Sequence, residues 1–306
     1  MTDSPHPVSL EAVSRTRRSV GDKMRIKVFY HSSLNDLEPD KRSLLVERIV
    51  PRAVEYWEDI IRVRNPVKNI KLNRRCLGNQ YYLSPGESVQ YCKEECVQTM
   101  CGEFQVPESH LTDCHTCDSR GANCGKRTDG GPGVSGVDFV LYVSSLTTNQ
   151  CLEAVGGKAE TVAYAAHCQQ EESLDRPVAG HTNICPGAIS SLERDITSLQ
   201  STLKHELLHA FAFSSSLFAF FRDSAGQPRT PRLEDGKPEI NTELQVRQWS
   251  DNTIRTVRRP WLVRSGMLRK TTYLMVTPQV VREVRRHFDC PTLEGAELED
   301  QVRGER

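Results

Sequence analysis

The chain has 306 residues, enough to bury a substantial core as one large domain or two smaller lobes. Lys+Arg and Asp+Glu are both 40, so the formal charge is zero, which argues against a nucleic-acid partner. No apolar run approaches the ~18 residues that a membrane span requires, so no transmembrane segment is expected.

From the amino terminus, residues 1–24 lack the apolar core of a signal peptide. The basic run at 15–19, "RTRRS", fits a processing site and would make residues 1–18 a propeptide remnant. Met24–Tyr30 alternates apolar and basic residues and predicts a strand. A long helix over about 39–63 follows, with Leu45, Ile49, Ala53, Trp57 and Ile61 as one buried stripe and Pro51 as a kink. Val67–Leu72 predicts a second strand, which would close a strand–helix–strand crossover.

Residues 76–133 change character. Seven of the eleven cysteines lie between Cys76 and Cys124, with few aliphatic residues among them. This predicts a disulfide-stapled insertion formed in an oxidising compartment, hence a secretory route to the cell exterior or a membrane-associated site. The missing signal-peptide core leaves a cytoplasmic location as the alternative. Cys114 and Cys117 also have the spacing of half a zinc knuckle, but the other cysteines form no second regular pair.

Residues 136–145 predict a central strand. Residues 162–170 and 176–190 predict two further strands joined by the polar turn "EESLD", with Cys168 and Cys185 placed to staple them. His167 and His181 in these strands read as surface or packing residues. The ten cysteines before His205 can all pair, which leaves Cys290 as one free thiol.

A helix over 189–213 carries Leu192, Ile196, Leu199, Leu203 and Leu207 as its apolar stripe. His205 falls about 200° round the helix from Leu203, so the histidines face away from the core. Here stands "LKHELLHAFAFS", residues 203–214. His205 and His209, four residues apart, can present two imidazole nitrogens to one ion. Glu206 is turned about 100° from His205 and can take a proton from water. His205 and His209 are thus the candidate metal ligands for one Zn2+, and Glu206 the candidate catalytic base. Residues 222–260 read as extended surface loops. Thr277 and Pro278 open a last helix, which runs to about Phe288. His287 near its end is explained by the helix dipole rather than by metal ligation.

Three segments together carry a resemblance: "LKHELLHAFAFS", "RPVAGHTNICPGAIS" before it and "VVREVRRHFDCPTLEGAELEDQ" after it. The sequence resembles leishmanolysin-type metalloproteases, in particular the animal leishmanolysin-like branch, the invadolysins. The resemblance implies an α+β, metzincin-like two-lobed fold with a mixed sheet and an active-site helix. Residues 19–214 would form the N-terminal catalytic lobe, with the cysteine-rich insertion at 76–133, and 215–306 the start of an incomplete C-terminal lobe. It implies a zinc endopeptidase acting on protein or peptide substrates, with an edge strand at 177–185 aligning the substrate. The family pattern puts glycine where this chain has Ala212, a costly change if that position is left-handed. It also puts a third histidine and a Met-turn after "LEGAELEDQ", where this sequence runs into "VRGER". The expected consequence is a site two-thirds complete, with weak zinc binding and little peptidase activity in residues 1–306. A catalytically inactive peptide-binding or adhesion module is the alternative.

Overall fold

The computed structural model describes residues 8, 10, 21–83, 89–152, 161–264 and 266–299. Most of the expected propeptide remnant at 1–18 lies outside them. By contacts the chain divides into two units, Met1–Phe213 and Ser214–Arg306.

The first unit is organised by a four-stranded mixed sheet. Strand β1 (Ile26–Tyr30) leads into a helical run over Pro39–Ser43 and Leu44–Ile49 that continues as α1 (Val50–Ile60). Strand β2 is Phe139–Ser144, β3 is Ala163–Gln170, β4 is Pro177–Ile184, and helix α2 is Glu193–Phe211. The strand order is β3-β4-β2-β1. Strands β1, β2 and β4 run parallel, and β3 is antiparallel to β4.

The turn at Leu44–Ile49 is π-helical and directly precedes Pro51. Proline supplies no N–H and its ring crowds the carbonyl four residues back, so a widened turn just ahead of it relieves the clash that sequence alone predicted as a kink.

Two layers cover the sheet. On one face Leu45, Ile49 and Ala53 from the first helical run and Ile196, Leu199, Leu203 and Leu207 from α2 pack on Phe139, Leu141, Val143 and Ile184. On the other, Val140, Tyr142, Val178 and Ala179 meet Val67, Ile70, Leu72, Cys101, Phe104 and Leu111. Strands β2 and β4 are buried at every position because both faces are covered.

Three expectations are corrected. The crossover from β1 does not return at 67–72: there only Asn69–Ile70 is a strand, paired with Val134–Ser135, and β1 pairs instead with β2. The cysteine-rich region lies between these two partners in the sequence. Residues 177–185 are not an edge. Strand β4 is paired on both sides, and the edge strands of the sheet are β3 and β1. Polar residues are accommodated in this interior strand because they find internal partners. Asn183 accepts from Ser144 Oγ at 2.9 Å and from Leu146 N at 2.8 Å, and its Nδ2 donates to Leu146 O at 2.9 Å. Thr182 Oγ1 donates to Tyr164 O at 3.1 Å.

The third correction concerns cysteine pairing. All ten cysteines before His205 form disulfides and Cys290 is free. Cys168 and Cys185, however, do not pair with each other; the bonds are Cys101–Cys168 and Cys151–Cys185. Register forbids the expected staple: Cys185 N donates to Val162 O, so Cys168 lies six residues further along the neighbouring strand, roughly 20 Å away. Cys114 and Cys117 are bonded to Cys96 and Cys124, which removes the zinc-knuckle alternative. Five disulfides suggest a secretory-route or extracellular protein. Among the described residues no helix is long and apolar enough to cross a membrane.

In the second unit two ten-residue strands, β5 (Ile254–Val263) and β6 (Gly266–Met275), form a hairpin that is followed by α3 (Pro278–His287). A short strand at Ala296–Glu297 pairs with β6. Sequence placed loops through residue 260. The hairpin escaped that reading because only its inner end, at Ile254, Leu274 and Met275, is buried, so no apolar/polar alternation marks it. Pro260 is tolerated because β5 is an edge strand.

Candidate metal centre on helix α2

Helix α2 forms where the sequence places an apolar stripe, and acidic Glu193 and Asp195 in its first turn suit the helix dipole. Ile196, Leu199, Leu203 and Leu207 are buried. Fully burying a leucine is worth about 1.5–3 kcal/mol, so Leu203 and Leu207 alone fix which side of α2 meets the sheet. Leu192 departs from the expected stripe. It is 55% exposed, since it precedes the first helical residue and has extended backbone.

The rotation of α2 about its axis follows from that burial. With Leu203 and Leu207 inward, His205 is exposed, and Glu206 and His209 are half-buried. The imidazoles of His205 and His209 stand one turn apart with their Nε2 atoms separated by 3.2 Å and their ring planes at 85°. His209 Nδ1 lies 2.6 Å from the Phe213 carbonyl oxygen. A carbonyl only accepts, so Nδ1 carries the proton and Nε2 presents a lone pair.

The end of the helix makes this contact. Ala212 N and Phe213 N both donate to Leu208 O, which turns the chain so that the Phe213 carbonyl points back at His209. Ala212 has φ −159° and is not left-handed. The cost expected from replacing glycine there does not arise.

Two residues position α2: Gly180, which had no signal in the sequence pattern, and Trp57, which was read only as part of a buried stripe. Gly180 in β4 lies under α2: a Cβ there would sit 2.8 Å from Phe139 Cζ, 2.9 Å from Ala166 O and 3.1 Å from Ala210 Cβ. Its missing side chain lets the helix approach the sheet beside His209. Trp57 in α1 donates from Nε1 to Lys204 O at 3.1 Å and stacks edge-on to Phe211, tying α1 to the turn that carries His205.

His287 is exposed on α3 of the second unit, its ring against Phe288. His167 is buried, and that burial pushes its pKa down to about 4. His181 is also buried and pairs opposite Tyr142, on the face of the sheet away from α2. Its Nδ1 is 3.5 Å from Glu103, which also accepts from Tyr164 Oη at 2.5 Å. Burial raises the Glu103 pKa, but the His181 imidazole and the Tyr164 hydroxyl outweigh it and hold the carboxyl at about 2. Cys168 and Cys185, being in disulfides, offer no thiolate to a metal.

His205 and His209, one turn apart on α2 with Glu206 beside the first, form an H-E-x-x-H pattern of candidate metal ligands. Comparison with known proteins makes the class specific. Residues 88–305 match the leishmanolysin peptidase family. A leishmanolysin-like peptidase of Drosophila melanogaster is 47% identical over 98% of this chain, and one of Caenorhabditis elegans is 42% identical over 91%. The mouse ciliated left-right organizer metallopeptidase is 30% identical over 72% of the chain. The chain belongs to the leishmanolysin family, on its animal leishmanolysin-like branch. It spans 44% of the Drosophila relative and 42% of the nematode one.

Proposed function

We propose that the chain carries the zinc-binding helix of an endopeptidase that hydrolyses peptide bonds in protein or peptide substrates. His205 and His209 are the ligands it provides to one Zn2+, and Glu206 is the general base. The observation that carries this reading is the 3.2 Å approach of the two Nε2 atoms, with the His209 tautomer set by the Phe213 carbonyl. Such a backbone acceptor on the far nitrogen is the usual support of a metal-ligating histidine.

The donor set fits zinc. Two neutral imidazoles are borderline donors of the kind Zn2+ takes, and three protein ligands with one open position make a catalytic site. The 3.2 Å separation also suits a hydrogen bond from His205 Nε2–H to His209 Nε2. Ligation would require His205 in its other neutral tautomer, with the proton on Nδ1, so that both Nε2 lone pairs face the ion. Bound zinc supplies Lewis acidity, polarising a scissile carbonyl and lowering the pKa of water to around 7.

The chain's own residues do the rest. The Glu206 carboxylate accepts a proton from the attacking water and returns it to the leaving amine. Strand β3 presents an edge to which an extended peptide can add by backbone pairing, which explains broad sequence tolerance. The division of the chain after Phe213 supports a metzincin-like two-lobed arrangement. In it residues 19–214 form the catalytic lobe, 76–133 its disulfide-stapled insertion and 215–306 the start of a C-terminal lobe.

The test is Glu206→Gln in the full-length protein. Turnover of a peptide substrate should fall by about 10²–10⁴-fold with zinc content unchanged, while His209→Ala should lose zinc in a competing-chelator titration. Undiminished turnover in Glu206→Gln would overturn the assignment.

A further inference from the structure

The β5–β6 hairpin ends in an apolar tip. Leu262 is 84% exposed, Met267 66%, Leu268 53% and Trp261 49%. Register pairs Trp261 with Leu268 and Leu262 with Met267. Side chains alternate across a hairpin, so Trp261, Leu268 and Val263 point to one face and Leu262 and Met267 to the other. Both faces of the tip are therefore apolar.

Directly below it the register brings cations to both faces. Arg259 pairs with Lys270 on the Trp261 face, and Arg258 and Arg269 lie on the Leu262 face. From Thr253 to Thr277 the sequence has six cations, counting Arg255 and Arg264, and no Asp or Glu. Arg259 meets Glu294 at 2.9 Å and Lys270 meets Glu297 at 3.5 Å. Arg255, Arg258, Arg264 and Arg269 are in no ion pair among the described residues. Lys270 Nζ lies 5.7 Å from the centre of the Trp261 ring, which holds the indole at the boundary between the apolar tip and the basic collar.

A flat protein surface would cover only one face of such a hairpin. A bilayer surrounds an inserted tip on every side, and its anionic headgroups lie at the depth of the collar. The geometry points to docking of the 254–275 hairpin into an anionic phospholipid surface. Trp261, Leu262, Met267 and Leu268 enter the acyl boundary, and Arg258, Arg259, Arg269 and Lys270 meet headgroup phosphates. Arg264 at the turn keeps the insertion shallow, its aliphatic stem lying among the chains while the guanidinium reaches back to the headgroups. This reading is independent of the chemistry on α2.

The test is co-sedimentation of the whole chain with phosphatidylcholine vesicles, with and without phosphatidylserine. The chain should partition at least tenfold more strongly onto the phosphatidylserine vesicles, and salt should weaken the binding. Leu262→Asp with Met267→Asp should abolish it. Arg258→Gln with Arg269→Gln should weaken it by about 30-fold on the anionic vesicles. All four residues are exposed, and circular dichroism is used to check that the variants remain folded. Equal partition onto neutral and anionic vesicles would overturn the proposal, as would binding that survives the double aspartate. Hairpin-dependent self-association or binding of an acidic peptide, without vesicle binding, would overturn it in favour of a protein contact.

Discussion

On the face of the central sheet that receives α2, adhesion is aliphatic: Leu45, Ile49, Leu203 and Leu207 lie against Phe139, Leu141, Val143 and Ile184. On the opposite face the covering segment is made of short strands and turns cross-linked by Cys76–Cys92, Cys96–Cys114 and Cys117–Cys124. Cys101–Cys168 bolts that segment to the edge strand β3. A 19-residue helix with one continuous stripe can hold itself on a sheet by burial, whereas two- to four-residue strands cannot. The candidate metal ligands stand on the layer that dispenses with covalent help.

The sharpest way to break this contrast is on the aliphatic side. Leu203→Ala empties a fully buried site between α2 and the sheet and should cost about 2–5 kcal/mol in denaturant unfolding. A loss below about 1 kcal/mol would show that α2 is held mainly by something other than its stripe. Next comes the bolted side. Replacing Cys101 and Cys168 by alanine opens a link of sequence separation 67 and should cost about 2–4 kcal/mol. Reductant should destabilise the wild-type chain but leave less to lose in this variant. Equal sensitivity of the two proteins to reductant would contradict the assigned role of this bond.

The third effect is set by pH. His167 titrates near 4 in the folded chain against an ordinary 6.5, because burial penalises its charged form. Between these values the unfolded state binds more protons, so stability is full above about pH 6.5 and falls as pH drops towards 4. The difference corresponds to about 3 kcal/mol if the whole shift is realised. Glu103 adds a second loss below this window, since its folded value of about 2 lies under the ordinary 4.5 and its contribution disappears as pH falls between them. His167→Gln should flatten the upper part of the profile and leave the lower part. An unchanged slope from pH 6.5 to 4 would contradict the assignment to His167.

The same contrast explains what could be read in the sequence. Helix α2, its buried stripe and the outward turn of His205 follow from a repeat of 3.6 residues, which is local information. So do α3 with Thr277 and Pro278 at its start, and the antiparallel pair β3–β4. Pairing across distance was not legible. Nothing in β1 names β2 as its partner more than 100 residues later, and cysteine spacing does not encode whether Cys168 meets Cys101 or Cys185. The edge at 177–185 came from the family resemblance and not from the residues, and the internal partners of Thr182 and Asn183 in β4 show why the strand is interior. Gly180 was silent for a related reason: what matters is the absence of a side chain opposite Ala210, a residue 30 positions away.

Helix length is itself a chemical variable here. Helix α2 stops at Phe211, and because it stops, the carbonyl of Phe213 is turned inward to hold the Nδ1 proton of His209. One more turn of helix would commit that carbonyl to an amide four residues on, and the imidazole would lose the acceptor that fixes its tautomer. The donor strength of His209 Nε2 is therefore set by where the backbone leaves the helix. An insertion or deletion at 212–213 would change the hydrogen bonding of this candidate ligand without altering either histidine.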